Sequence, residues 1–319
     1  MIYRNSCDHG ELIVNNKYCV FIGDVALDEY YRADYWPTIK DKIMVDALPA
    51  IPGGMIANAA CVSAALGLNV KFVSALNRGA ITRYLLADLE KCGVDTSLVV
   101  FDDNLADSKT MIFLVGDEHT IFIPRLGTQT VEITQEQLSV LAKADFIYTT
   151  PGEIALLRCA DMTSEDIIDY CRGNGARLVF DLDVDYIQDG KQERFNRLDI
   201  AFFNEVGFDR YRGLLDQRSA AERLLSYGLE LVVITLAENG CVVYSKDETI
   251  CSPAFHVEVV DVTGAGDTFC SSFLFALSLD RGIKFAAEFA NAAASICVGK
   301  LGARAGAVSQ ADVERVVRL

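Results

Sequence analysis

Two hydrophobic rhythms alternate along the chain. Continuous apolar runs of four or five residues, Tyr18 to Ile22, Val70 to Ser74, Leu98 to Phe101, Phe146 to Thr149, Leu178 to Asp181, Ile200 to Phe203, Leu231 to Thr235 and Cys241 to Tyr244, read as strands. Runs without polar interruption belong to parallel sheets covered on both faces. Between several of them apolar positions recur three and four apart. This predicts helices from Pro52-Gly53-Gly54 to about Leu66, from Ile81 to Cys92 and from Ala286 to Val298, with Gly67 and Gly93 as stops. The alternation is the βαβ pattern of a doubly wound, mostly parallel α/β fold. Two stretches break it. Residues 29–50 are aromatic-rich without a period, and the β-rich runs Thr110 to Val115 and Thr120 to Ile123 flank Gly116-Asp117-Glu118, a hairpin signal. Together, as segments of about 29–50 and 108–125 inserted in one domain of 18–319, they are expected to form a small β lid over the sheet edge. Residues 1–17 read as a polar tail.

One stretch carries the clearest chemistry. Val260-Asp261-Val262-Thr263-Gly264-Ala265-Gly266-Asp267-Thr268-Phe269 runs into the helical pattern Phe269, Phe273, Leu274, Leu277, so a helix is expected to begin at about Gly266 or Asp267. The first N–H groups of a helix lack internal partners, and its dipole is positive there. A phosphoryl group can sit on those donors while glycines keep side chains away. Asp267 would repel that anion unless it has a task, and accepting the proton of an attacking hydroxyl is one that fits. The plainer alternative makes Asp267 a helix cap.

Other polar residues fall where such a sheet binds ligands, beyond the carboxyl ends of its strands. Asp28 follows the first strand, and no G-x-G-x-x-G accompanies it, which counts against a nicotinamide dehydrogenase. Gly53 and Gly54 expose backbone donors before a helix that carries Asn58 one turn in, either as a reader of hydroxyls or as a solvated helix residue. Asn204 and Glu205 end one strand; Thr235 and the turn glycine Gly240 follow another.

Composition narrows the partners. With 45 acidic against 29 basic residues the net charge is −16, and there is no basic stripe, which excludes nucleic acid and anionic membranes. The ten cysteines include no C-x-x-C pair and the histidines number three, so the thiols read as free and mostly buried in a reducing cytosol. No apolar run spans a bilayer and no signal-peptide core is present, so a cytoplasmic protein is expected.

Taken in series, Pro52-Gly53-Gly54 with Asn58, the Thr235 to Gly240 turn, and Asp261 to Phe269 resemble the ribokinase/PfkB family of carbohydrate kinases, over nearly the whole chain from Tyr18 to about Val308. The resemblance implies an ATP-dependent sugar kinase in which Asp267 is the catalytic base and the Gly264, Ala265 and Gly266 amides form an anion hole. It implies that Asp28, Gly53, Gly54 and Asn58 hold sugar hydroxyls. Asn204, Thr235, Ala237 and Gly240 would line the ATP phosphates and ribose, with Asn291 near the adenine. Magnesium would accompany ATP, and a monovalent cation such as potassium, which family members often use, would lie by Asp261 and Thr263. A homodimer through the aromatic lid is expected.

Two departures stand out. The family usually shows Asn-x-x-Glu where this chain has Asn204-Glu205-Val206-Gly207, so Glu205 would have to serve magnesium through water. Asn77-Arg78-Gly79 replaces an aspartate-containing turn of mainly structural weight. Where kinases of acidic sugars tend to place an arginine, this chain offers Asp181, Asp183 and Asp185, which would repel a carboxylate and favour a neutral sugar, although Arg125 in the lid could supply a positive partner. A nucleoside acceptor stacked on Tyr30, Tyr31, Tyr35 or Trp36 is the near alternative, and a catalytically weakened sensor, motivated by Gly207, the distant one.

Overall fold

The computed structural model describes residues 17–116, 118–182 and 192–318. The polar tail up to residue 16, the hairpin residue Asp117 and the loop aspartates Asp183 and Asp185 lie outside the described residues. The main sheet has nine strands, in the spatial order Thr249–Ser252, Cys241–Tyr244, Leu231–Thr235, Ile200–Asn204, Arg177–Leu182, Phe146–Thr149, Cys19–Ile22, Val70–Val73 and Val94–Asp95. From Leu231–Thr235 to Val94–Asp95 all neighbours are parallel. The chain starts in the middle, builds outward through Val70–Val73 and Val94–Asp95, then returns to Phe146–Thr149 on the other side of its first strand. Strand order therefore reverses between Cys19–Ile22 and Phe146–Thr149, the point at which an open α/β sheet leaves a crevice for ligands.

Alternation along each strand sorts the core into two layers. Cys19 and Phe21 pack with helices Met55–Leu66, Ala80–Lys91, Ala265–Ser278 and Ile283–Val298. Val20 and Ile22 pack with Gln135–Leu141, Ser164–Gly173, Glu205–Arg212 and Gln217–Ser226. Both faces are covered, which is why the strands read as unbroken apolar runs.

One edge departs from the expected pattern. Cys241–Tyr244 is antiparallel to Leu231–Thr235, and Thr249–Ser252, which has no clear sequence signal, is antiparallel to it in turn. Only the short turn Ala237–Asn239 and its flanks separate the first two, too little chain for a crossover helix.

The interrupting segments make a second, smaller sheet in the order Glu118–Phe122, Lys109–Val115, Ala26–Arg32 and Asp46–Ala47, with Ile51–Gly53 also paired to Ala26–Arg32. The hairpin between residues 109 and 122 is antiparallel, in the register Val115 to Glu118 through Met111 to Phe122. Three residues separate the end of the central main-sheet strand at Ile22 from the start of the strand Ala26–Arg32. Thus the small sheet is rooted at the crevice, and Asp28 sits at the root, paired across to Ile51 and Thr110. Its outer aromatics cluster: the Trp36 ring stacks on Phe122 at 6.1 Å, and Tyr31 stacks on Phe113 at 5.2 Å.

Candidate active site

The glycine-rich loop ends at Gly264, which adopts φ 77° as the residue before helix Ala265–Ser278. An L side chain is disfavoured at that φ, and a Cβ there would come within 1.9 Å of the Ala303 carbonyl oxygen. Gly266 differs, since a Cβ on it would meet nothing within 4 Å. Its glycine keeps open the space in front of the helix, where an anion would rest. The helix begins one or two residues before the expected start, so Asp267 is its third residue rather than its cap. The carboxylate lies in the first turn, on the positive end of the dipole, and accepts a hydrogen bond from Asn58 Nδ2 at 3.0 Å. Asn58 is 6% exposed, which removes the solvated reading of that residue. The Ala265 N–H donates to the Val262 carbonyl at 3.2 Å, a long bond that a phosphoryl oxygen would have to replace.

On the other wall of the crevice carboxyl groups gather. Gly54, at φ 98°, leads into helix Met55–Leu66, and Asp24 accepts that helix's first N–H groups, from Met55 and Ile56, each at 3.1 Å. Burial nevertheless raises the Asp24 carboxyl above its ordinary range, against the pull of those bonds. Asp28 is pushed up to about 6, first by burial and further by the Asp24 charge, while a Thr110 hydrogen bond and the Arg304 charge oppose. Gly53 packs so closely on Asp28 that a Cβ would lie 1.9 Å from its Oδ2. Glu153 sits in the short helix Pro151–Ile154, across the reversal point, and is raised to about 7 by burial and by Asp24. These groups offer convergent acceptors for hydroxyls.

The remaining candidates line the antiparallel side. Asn204 and Thr235 are register partners at the carboxyl ends of adjacent strands. Asn204 Oδ1 accepts the Gly207 N–H at 2.6 Å, so the position where the family carries a second carboxylate contributes its backbone to a helix cap, and Glu205 is exposed beside it. Ala237 is held at φ 48° in the turn that Gly240 closes, and a Cβ on Gly240 would lie 2.1 Å from the Ser252 carbonyl. Asn291 is buried and donates from Nδ2 to Ser252 O at 3.0 Å and Pro253 O at 3.2 Å. It braces the backbone behind Gly240. Asp261 accepts N–H bonds from Thr263 and Gly302, both at 2.9 Å, and hydrogen bonds to it hold its carboxyl below the ordinary range despite partial burial.

Three residues in this site have no role in the sequence reading. Asp24 looks there like the end of a strand, and Glu153 lies in a four-residue helix too short to show a period. Arg304 is a lone cation in a run of small residues, yet its Nε donates to Asn58 Oδ1 at 3.1 Å. Asn77, in contrast, is structural as expected: its Oδ1 accepts from Gly79 N and Thr82 Oγ1. All nine cysteines among the described residues are free.

The fold is an open, mostly parallel α/β sheet with its crevice at the reversal of strand order. Residues 16–310 match the model of the pfkB family carbohydrate kinases, and the chain belongs to that family. It is thus a carbohydrate kinase that transfers phosphate from ATP to an alcohol group. Ribokinase of Bacillus subtilis is 26% identical over 301 residues, covering 94% of this chain and 98% of that protein. Fructokinase-1 of Zea mays is 27% identical over 309 residues, covering 89% and 94%. Among solved structures, Arabidopsis thaliana ribokinase complexed with ribose and ATP superposes with a TM-score of 0.83 at 22% identity, covering 95% of this chain and 99% of that one. The nucleoside kinase of Methanocaldococcus jannaschii superposes with a TM-score of 0.71 at 19% identity, covering 95% and 98%. At these identities the structures speak for the fold.

Proposed function

We propose that the acceptor is a small neutral sugar and that Asp267 is the general base for its attack on the γ-phosphate of ATP. The observation that carries this reading is the Asp267 carboxylate in the first turn of Ala265–Ser278, held by the Asn58 amide at 3.0 Å, next to Gly266, on which a Cβ would meet nothing within 4 Å. A hydroxyl held by Asp28, Asn58 and the backbone of Gly53 and Gly54 would deliver its proton to Asp267. The N–H groups of Gly264, Ala265 and Gly266 would take the charge gathering on the transferred phosphoryl group. Glu153 joins the sugar side as a further hydroxyl acceptor. Carboxyl groups at Asp24, Asp28 and Glu153 oppose a substrate carboxylate, which supports neutrality.

Asn204, Thr235, Ala237 and Gly240 would border the nucleotide, with Asn291 behind them. Among the described residues no three carboxylates, thiols or imidazoles are placed to hold a metal ion. That arrangement fits a magnesium carried mainly by nucleotide phosphates, with Glu205 reached through water. Magnesium, when bound, neutralises the charge on the transferring phosphate. Asp261 and Thr263 are the candidates for a monovalent cation. The small sheet would act as a lid, and its exposed apolar face would pair two copies of the chain.

The test is ADP release with magnesium-ATP and potassium over pentoses, hexoses, sugar acids and nucleosides. Turnover on a neutral sugar, reduced about 10²- to 10⁴-fold in Asp267→Asn, is expected. Equal rates in the variant would remove Asp267 from the chemistry. A nucleoside acceptor is favoured by one observation, the stacked lid aromatics Tyr31, Phe113, Trp36 and Phe122, and turnover on nucleosides alone would select it.

A further inference from the structure

The loop after the last long helix touches the base helix and its leading loop at three points. Gly302 N donates to Asp261, the Ala303 carbonyl fills the space a Cβ on Gly264 would need, and Gly306 packs on Thr268 so that a Cβ would lie 2.2 Å from its Oγ1. From the middle of this loop Arg304 reaches in the other direction. Its Nε donates to Asn58 Oδ1 at 3.1 Å, and its Nη1 pairs with the carboxylate of Asp88, near the end of helix Ala80–Lys91. Asn58 Nδ2 then donates to Asp267. The result is a line of four side chains, Asp88, Arg304, Asn58 and Asp267, that joins two neighbouring helices to the base helix.

We propose that Arg304 is the positioning residue for the base: it dictates which end of the Asn58 amide faces Asp267 and so aims the carboxylate at the acceptor hydroxyl. This rests on the reading of Asp267 as base. A primary amide has a donor end and an acceptor end of nearly the same shape, so packing alone selects weakly between them. A guanidinium can only donate. With Arg304 on one side, only Oδ1 can face it, and the amide NH₂ is left for Asp267. Turned around, Oδ1 would confront a carboxylate and the NH₂ a guanidinium, acceptor against acceptor and donor against donor. Arginine is specifically suited, because separate nitrogens of one rigid fork serve Asn58 and Asp88 at once, whereas a lysine ammonium has a single nitrogen to divide between them. The Arg304 charge also faces Asp28, so it offsets carboxylates on the sugar side of the crevice.

Arg304→Met, Arg304→Lys and Asp88→Asn test this against a purely structural tie between loop and helix. Expected for Arg304→Met is a kcat lower by roughly 10- to 100-fold, the scale of a small misplacement of a reacting group. The KM for ATP should stay within about twofold, because the loss falls on the transition state. Its crystal structure should show the Asn58 amide turned away from Asp267. Lysine should recover part of the rate, and Asp88→Asn should lose less than Arg304→Met, because the Nε contact remains. If Arg304→Met does not fold, the other two variants, which keep the guanidinium or a cation, carry the comparison. Full kcat with a lowered melting temperature, or an Asn58 to Asp267 contact unmoved without Arg304, would overturn the proposal. Should the unmodified protein release no ADP with any acceptor, the base reading fails, and the crystallographic comparison still decides whether Arg304 sets the amide.

Discussion

At the scale of single residues, the two glycines of the proposed anion hole answer to different constraints. Gly264 is required by its own backbone and by the Ala303 carbonyl, so Gly264→Ala should lower both stability and activity. Gly266 has normal helical surroundings and open space, so Gly266→Ala should leave the melting temperature equal or higher, since alanine is favoured over glycine in helices by about 1 kcal/mol. Its activity should still fall if the methyl enters the proposed phosphoryl seat. Thermal melts beside ADP release separate the two cases, and a fully active Gly266→Ala would show that the anion sits elsewhere. Glu153 gives a second prediction. Its carboxyl titrates near 4.5 in the unfolded chain and at about 7 when folded. The folded state therefore binds more protons between those values, and stability falls as pH rises through that window. Asp28, moved from 3.8 to about 6, acts in the same direction. Glu153→Gln removes one ionisation, so its stability relative to the unmodified protein should grow from pH 4.5 to pH 7. Parallel denaturation curves across that range would show that Glu153 is not strained by its burial.

At the scale of elements, Asn291 links helix Ile283–Val298 to the backbone at Ser252 and Pro253, which lies against Gly240. Asn291→Ala leaves buried carbonyls unpaired, a loss of about 1–3 kcal/mol. It should raise the KM for ATP while the KM for sugar stays constant; the opposite split would place Asn291 outside the nucleotide side. The same scale shows what the sequence made legible. Runs such as Phe146–Thr149 and Leu231–Thr235, buried on both faces, leave an unbroken apolar signature, and their bounds match the expectation. The glycine loop was legible because small residues directly precede a helical period. Edge strands were harder: Thr249–Ser252 buries only Ser252 fully, and the three-residue Ile51–Gly53 buries only Gly53, so neither shows a rhythm. Asp24, Glu153 and Arg304 were hidden for another reason. Each gains its role from residues far off in the chain, as with Arg304 and Asn58, 246 positions apart, and no local pattern records such a contact.

At the scale of the whole molecule, two surfaces contrast. The chain carries a net charge of −16, yet the small sheet and its flanks expose Trp36, Ile121, Phe122 and Ile123. Exposed apolar patches on a charged protein mark interaction sites. We expect a homodimer by analytical ultracentrifugation, dissociated by Phe122→Asp with kinase folding intact; an unchanged sedimentation coefficient would exclude this face. Because the small sheet springs from the central strand at the crevice, such a pairing would also restrain how the sheet moves over the sugar.

Trp36 is the sole tryptophan of the sequence, and it lies on that sheet, stacked on Phe122. The intrinsic indole emission of this protein therefore comes from one place, the small sheet. Spectra taken on dilution, on adding sugar and on adding nucleotide would each report on the small sheet alone, a built-in optical probe that needs no label.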